Sequence, residues 1–273
     1  CEGGGFGFKT VDYMAVKMRM PMNTLPRVKA AAIFVLEQNR NKGHLYMDPP
    51  PFLKELRENL NHKKAPYKIE DGELRPLANE VLMCKEIAYN RKSIYLVNDC
   101  YHETVFAKEM ARRLVADLQG GNVAAYPGLV NFGYPLAPEQ EQASVMALTR
   151  NTCVITGGPG TGKTTVVRTI LETYLRSTPN KDGIILCAPT GRAAKRMAET
   201  TGYPAFTVHK AFGLWSEDAN APAGATSATQ ELDAAILDAV SMADQSLAIT
   251  IVTLISPQTT LTLVGDAAQL PSV

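Results

Sequence analysis

A glycine-rich run between an apolar segment and a helical pattern is the part of the sequence best suited to phosphate chemistry. The apolar segment is 153–156, and the helical pattern covers 166–171. The run between them contains the G-x-x-x-x-G-K-[ST] pattern and consists of Gly157, Gly158, Pro159, Gly160, Thr161, Gly162, Lys163, Thr164 and Thr165. Amides of such a loop surround phosphates, Lys163 reaches the β and γ oxygens, and the Thr164 hydroxyl helps to hold Mg²⁺. The sequence therefore predicts a Walker A loop that binds ATP with Mg²⁺.

A second apolar segment ends in a carboxylate that suits the same chemistry. Residues 234–237 are all apolar, and Asp238 follows them directly. A hydrophobic strand ending in an acid is typical of the Walker B motif, whose acid holds the metal ion. We therefore predict that Thr164 and Asp238 are the Mg²⁺ ligands, and that Lys163 and Asp238 act in catalysis.

Bringing these residues together requires a particular arrangement of elements. From residue 136 onward, short apolar runs alternate with helical patterns, which is typical of an α/β fold with a parallel sheet. A helix over 102–118 ends at Gly120 and Gly121 and is predicted to be a connector. The predicted parts are a nucleic-acid-binding region (1–101), a connector helix and linker (102–135), and an ATPase domain (136–273). Residues 220–230 are predicted to be a surface loop.

The front region is predicted to be a small helical module that contacts DNA. A glycine-rich turn over 5–10, which includes Lys9, leads into a helical pattern. Such a turn suits a DNA phosphate, although a tight corner between helices would need the same glycines. Patterns for helices at 25–36 and 52–60, an extended segment at 44–47, and strands at 67–69 and 93–97 together resemble a winged helix.

Composition limits the classes of protein that fit this chain. A length of 273 residues and 45% hydrophobic content suit two packed domains. The longest apolar stretch, around 249–255, is shorter than the ~20 residues of a membrane span. Five scattered cysteines suit free thiols in a cytoplasmic protein, and the chain looks like a piece of something longer. Residues 1–100 hold 16 Lys and Arg against 12 Asp and Glu, whereas 136–273 hold 9 against 12, a weak sign of a phosphate-contacting front.

Several segments around the Walker A loop resemble motifs of RecD-like superfamily 1 DNA helicases, the type to which the exodeoxyribonuclease V alpha subunit belongs. The matching segments are 136–143 (Q motif), 188–194 (motif Ia), 207–213 (the next motif), 234–244 (Walker B and its continuation) and 261–273 (motif III). The glycine-rich turn and residues 27–46 resemble the helix-hairpin-helix and winged regions that precede the motor. The resemblance covers nearly the whole chain and implies that the ATPase domain is the first RecA-like motor domain.

The resemblance also implies roles for individual residues. Gln140 would read the adenine edge, and Gln269 would sense the γ-phosphate as a third catalytic group. Thr190, His209 and Lys210 would contact single-stranded DNA, although His209 or Lys210 could instead cap the local helix. The implied activity is ATP-dependent 5′-to-3′ DNA unwinding in recombination or repair. The protein could work alone or with nuclease and helicase subunits of a recombination complex.

Two positions depart from the family pattern and leave a second function open. The glutamate that normally follows the Walker B aspartate is Ala239 here, and a second acid of motif III is Ala268. Loss of a general base typically removes ~10²–10⁴-fold of rate. The chain also ends at motif III, before the second motor domain. A silent nucleotide- and DNA-binding regulatory module is therefore the alternative to a helicase, and an unrelated P-loop ATPase is a third.

Overall fold

A computed structural model describes residues 7–62, 65, 67–90, 92–118, 128–133, 135–178, 180–214, 232–266 and 268–269. The chain divides into two compact units, Cys1–Glu103 and Thr104–Ser272. Each unit is considered separately below. The segment 220–230, predicted to be a surface loop, lies outside the described residues.

The first unit combines four helices with a small antiparallel sheet. The helices are α1 (Phe8–Lys17), α2 (Leu25–Arg40), α3 (Pro49–Leu60) and α4 (Asp71–Val81). The strands β1 (Tyr46–Met47), β2 (Ile87–Tyr89) and β3 (Ile94–Leu96) pair in the order β1-β3-β2. One face of α2 is apolar at helical spacing and is completely buried, so α2 is the central element of this core.

A buried ion pair joins α1 to α2 within this unit. The Arg27 guanidinium donates to both carboxylate oxygens of Asp12, at 2.7 and 3.0 Å, and to the Leu60 carbonyl at 2.8 Å. The His62 Nε2 atom lies 3.0 Å from the same carboxylate. Burial would raise the pKa of Asp12, but hydrogen bonds from Arg27 and His62 outweigh it and hold that pKa below its ordinary value. The cluster therefore connects α1, α2 and the end of α3.

The second unit is built on a five-stranded parallel sheet. Its strands are β4 (Thr152–Thr156), β5 (Ile184–Ala188), β6 (Ala205–Thr207), β7 (Ala234–Leu237) and β8 (Thr260–Gly265), in the order β4-β8-β7-β5-β6. The helices are α6 (Pro138–Thr149), α7 (Lys163–Ser177), α8 (Gly191–Thr201), α9 (Val208–Ala211) and α10 (Gln245–Leu254). The predicted α/β class with a parallel sheet is confirmed.

The register of the sheet explains why distant parts of the sequence meet. Thr156 of β4 lies opposite Gly265 of β8, and Leu237 of β7 lies opposite Leu263. All the strands run in the same direction, so the segments that follow β4, β7 and β8 lie at one edge of the sheet. Ligands of open α/β sheets bind at this carboxyl edge.

Several predicted elements differ from the observed ones. Residues 67–69 were expected to form a strand, but the Ile69 amide instead donates to the Asn61 side chain at 2.8 Å, and the segment leads into α4. Helix α5 (Val97–Leu118) begins five residues before the predicted start. Within the part of the chain that the structure describes, no helix has both the length and the apolar character needed to cross a membrane.

A buried arginine attaches α5 to the second unit. Arg113 has no exposed surface and donates to the carbonyls of Ile255 and Thr259, at the end of α10 and just before β8. Burial lowers the pKa of its guanidinium to about 10, so the group stays charged at neutral pH. Nearby, Asp117 accepts from the Asn151 amide at 2.7 Å, so α5 contacts the starts of β4 and β8.

We expect Arg113→Met to lower the free energy of unfolding by about 2–4 kcal/mol, because two buried carbonyls lose their donor. Urea unfolding followed by circular dichroism measures the change. The matched control is Arg112→Met, since Arg112 is exposed and pairs only with Glu109; it should change stability by less than about 0.5 kcal/mol. Equal midpoints for the two variants would show that Arg113 does not hold α5 in place.

Candidate functional site

The predicted Walker A loop leaves the end of β4 and leads directly into α7. Gly160 and Gly162 have φ values of +77° and +80°, in the left-handed region that favours glycine. Gly162 is also the residue that precedes the first turn of α7. The free amides of that turn and the positive end of the helix dipole form an anion site at the carboxyl edge of the sheet.

The charged group of this loop is Lys163. Its Nζ atom donates to the carbonyls of Gly157 at 2.5 Å and Gly158 at 2.8 Å, so the ammonium lies over the loop. The Thr161 hydroxyl donates to the Gly158 carbonyl at 2.9 Å and holds the loop closed. This geometry places a positive charge and several amides around the same point, which suits a polyphosphate.

Gln140, expected to read the adenine edge, contacts the Walker A loop. Its side-chain Oε1 accepts from the Ala137 amide at 3.1 Å, and its Nε2 donates to the Thr161 carbonyl at 3.0 Å. A Cβ atom at position 162 would collide with that Nε2. Gln140 therefore has a positioning role that sequence reasoning missed, and its contact with adenine stays a prediction.

The predicted metal-binding aspartate lies at the tip of β7 in an unusual local geometry. The Asp238 amide donates to the Cys187 carbonyl on β5 at 3.0 Å, and its carboxylate accepts from the Ala239 amide at 2.8 Å. Ala239 has φ 60° and ψ 33°, a left-handed conformation that costs a non-glycine residue about 1–2 kcal/mol. This strain falls at the position where the family pattern has its glutamate.

A serine hydroxyl connects the tips of β7 and β8. Ser241 donates to the side-chain oxygen of Gln269 at 3.1 Å, and its Oγ lies 3.4 Å from the Asp266 amide. Asp266 is only 4% exposed, and its carboxylate accepts from the Ala268 amide at 3.0 Å. Sequence reasoning named Gln269 but missed Ser241 and Asp266; the position of Asp266 directly after an apolar strand was the available signal.

A single cleft of about 510 Å³ brings most of the predicted residues together. Residues 159–164 of the Walker A loop and α7 line one part of it, and Asp238, Ala239 and Gln269 line another. Thr164 and Asp238 both face this cleft. A hydroxyl and a carboxylate are the oxygen ligands that Mg²⁺ prefers, so the residues present fit a magnesium ion bound with a nucleotide.

The expected DNA-contacting residues of the second unit lie at two different helices, α8 and α9. Thr190 lines the cleft, and its hydroxyl accepts from the Ala193 amide at 3.3 Å, which caps α8. His209 and Lys210 lie on α9 and are not among the described residues that line the cleft, and Lys210 Nζ lies 5.5 Å from the centre of the Phe206 ring. Thr207, not His209 or Lys210, supplies the capping side chain of α9. Lys9 is exposed on α1 of the first unit.

Two family models match the chain. An AAA domain model matches residues 140–273, and a model of the helix-hairpin-helix domain of ATP-dependent RecD2 DNA helicases matches residues 2–46. The first covers the Walker A loop and the strand tips described above. The second covers α1 and α2 and ends at the first residue of β1, which agrees with the helix-hairpin-helix resemblance of the front region.

Curated relatives extend the match along the whole chain. ATP-dependent RecD2 DNA helicase of Deinococcus radiodurans is 29% identical over 100% of this chain and 38% of its own length. RecBCD enzyme subunit RecD of Mycolicibacterium smegmatis is 33% identical over 59% of this chain and 32% of its own length. The chain thus spans about a third of the length of these relatives.

Among solved structures, Pif1 from Bacteroides sp in complex with ADP-AlF4 is 23% identical, with a TM-score of 0.37, over 51% of this chain and 34% of that one. The fold itself follows from the strand order of the parallel sheet and from the two family models. From its phosphate-binding loop, the strand tips that face it, the two matched models and its relatives, we conclude that the chain belongs to the RecD-like helicases.

Proposed function

We propose that this chain is the ATP-binding part of an ATP-dependent DNA helicase. The observation that carries the proposal is the meeting of Lys163, Asp238 and Gln269 at one cleft on the carboxyl edge of the sheet. These residues are up to 106 positions apart in the sequence, counted from 163 to 269. Their roles match the three needs of phosphoryl transfer, which are phosphate binding, metal binding and recognition of the terminal phosphate.

Each residue has a task that its contacts support. The loop amides would bind the inner phosphates, and Lys163 would reach the β and γ oxygens. Thr164 and Asp238 would hold Mg²⁺, which would neutralise charge on the phosphate oxygens. Gln269 is held by the Ser241 hydroxyl, so its amide is oriented toward the cleft when a nucleotide binds. Gln140 contacts the loop through the Thr161 carbonyl, and its proposed task is to read the adenine edge. No second carboxylate is present at position 239 to orient the attacking water.

We expect Lys163→Ala to weaken binding of Mg²⁺ with a non-hydrolysable ATP analogue by at least about tenfold, because a charge-assisted contact with phosphate is lost. Isothermal titration calorimetry on this chain measures the affinity. Arg176→Ala is the matched control, since Arg176 is an exposed cation in the last turn of the same helix. The affinity of this variant for the ATP analogue should equal that of the unaltered chain. Equal affinities for the two variants would remove Lys163 from the proposed site.

DNA is the proposed partner of both units. The relatives named above are a DNA helicase and a RecBCD subunit, and the first unit matches the helix-hairpin-helix model of such a helicase. Lys9 is exposed in the first turn of α1, next to the glycine-rich turn, where a phosphate could also meet the free amides of the helix. Thr190, His209 and Lys210 are the proposed contacts with single-stranded DNA on the second unit. Unwinding in the 5′-to-3′ direction during recombination or repair, alone or beside nuclease and helicase subunits, completes the proposal.

We expect Lys9→Glu to weaken DNA binding several-fold at low salt, and to reduce the dependence of affinity on salt concentration, because one phosphate contact becomes a repulsion. Fluorescence anisotropy with labelled DNA at several salt concentrations measures both effects. Lys85→Glu changes the net charge by the same amount at another exposed position of the first unit and is the matched control. Identical salt dependence for the two variants would show that Lys9 does not contact DNA.

The residue at position 239 distinguishes the two proposed functions, an active helicase and a silent regulatory module. In a protein that joins this chain to a second motor domain of the family, we expect slow hydrolysis with Ala239 and a DNA-stimulated rate about 10²-fold higher after Ala239→Glu, because the carboxylate supplies the missing base. A steady-state ATPase assay measures the rate. Glutamate adopts the left-handed backbone no less readily than alanine, so the backbone should be unchanged.

The matched control for this experiment is Ala239→Gln, because a glutamine side chain has the size of glutamate but cannot accept the proton. ATP affinity is measured alongside, because a carboxylate next to Asp238 could disturb the metal site by repulsion. Hydrolysis at ordinary helicase rates with Ala239 in place would show that another group acts as the base. Slow hydrolysis in all three proteins would favour the silent module.

A further inference from the structure

Two arginines of α8 line the nucleotide cleft. Arg192 and Arg196 are four residues apart, so both project from the same face of the helix. Both side chains are on exposed residues, and both contribute to the wall of the cleft. Lys195 lies between them on the same helix but is not part of that wall, and it pairs with Glu199 at 3.9 Å.

The charge balance of the cleft favours an anionic ligand beyond the Walker A loop. Its charged lining residues are Lys163, Arg192 and Arg196 against Asp238 and Asp266, which gives three positive and two negative groups. Lys163 is already satisfied by two carbonyls of the loop. Within the described ranges, neither arginine has an ion pair or hydrogen bond from its guanidinium. Because position 239 carries no acid, no third carboxylate balances them.

The position of α8 indicates which phosphate these guanidinium groups meet. The amides of a Walker A loop surround the inner phosphates, so the terminal phosphate extends from the loop toward the strand tips. Asp238 and Gln269 lie at those tips, and α8 begins just after the neighbouring strand β5. The α8 wall thus faces the terminal phosphate. A guanidinium can bind phosphate oxygens in a bidentate manner.

We propose that Arg192 and Arg196 bind the terminal phosphate of a nucleoside triphosphate and make the cleft select triphosphate over diphosphate. This inference rests on the proposed nucleotide binding. It assigns to this unit a source of positive charge at the terminal phosphate that needs no second domain. The resemblance implied that the neighbourhood of Thr190 contacts single-stranded DNA. The experiment must therefore distinguish phosphate binding by α8 from DNA binding by α8.

The test measures binding of Mg²⁺ with a non-hydrolysable ATP analogue, and separately with ADP, by calorimetry on this chain. We expect the double variant R192A/R196A to lower affinity for the ATP analogue by about tenfold or more and for ADP by less than about twofold. The variant R192K/R196K keeps the charge without the bidentate geometry. Its affinity for the ATP analogue should lie between those of the unaltered chain and of R192A/R196A. Lys195→Ala is the matched control on the same helix and should change neither affinity. Circular dichroism verifies that the exposed substitutions leave the fold intact.

The arms of the experiment distinguish the possible failures. An equal loss of affinity for both nucleotides would overturn the proposal, because it would mean a general disturbance of the cleft. Unchanged nucleotide affinities together with weaker binding of labelled single-stranded DNA would also overturn it and would assign the arginines to DNA. Lys163→Ala should weaken binding of both nucleotides. If the unaltered chain binds neither nucleotide, the proposed function itself is wrong, and this inference falls with it.

Discussion

The parallel pairing of β8 with both β4 and β7 is the constraint on which the candidate site depends. β4 leads into the Walker A loop, β7 ends at Asp238, and β8 lies hydrogen-bonded between them. This pairing brings the Walker A loop and Asp238, the predicted metal ligand, to the same edge of the sheet, and Asp266 and Gln269 follow the strand that lies between them. A slip of β8 by one residue would turn its side chains to the opposite face of the sheet. The five-residue register between β4 and β8 opposes such a slip.

Side-chain contacts hold the segments beyond the strands, where no sheet pairing acts. Ser241 joins the turn after β7 to Gln269, and Gln140 joins α6 to the Walker A loop. At the other end of α10, Arg113 connects the same region to α5. The strained backbone at Ala239 adjoins the turn that precedes α10.

Sequence patterns predicted elements of both units. The apolar strands of a parallel sheet are buried on both faces, and their uninterrupted runs at 153–156 and 234–237 are easy to recognise. In the first unit, the extended segment predicted at 44–47 and the strand predicted at 93–97 contain β1 and β3, whereas β2 was missed because three residues are too few for a clear alternation. Helix α4 was overlooked because Pro76 lies inside it, and residues 67–69 have strand-like composition but find their hydrogen-bond partners in side chains.

The order of residues alone determined the chemistry of the Walker A loop, because a strand, a glycine-rich turn and a helix are local structures that neighbouring residues can specify. It also determined that only one acidic residue, Asp238, follows the apolar segment 234–237, because the next residue is Ala239. Only the tertiary structure decided which distant side chains share the cleft. Ser241, Arg192 and Arg196 carry no local pattern that marks them, since their proximity to Lys163 results from strand order and from the packing of α8 beside α7. Contacts between residues far apart in the sequence depend on how the sheet is assembled, and that is not encoded in the spacing of any one segment.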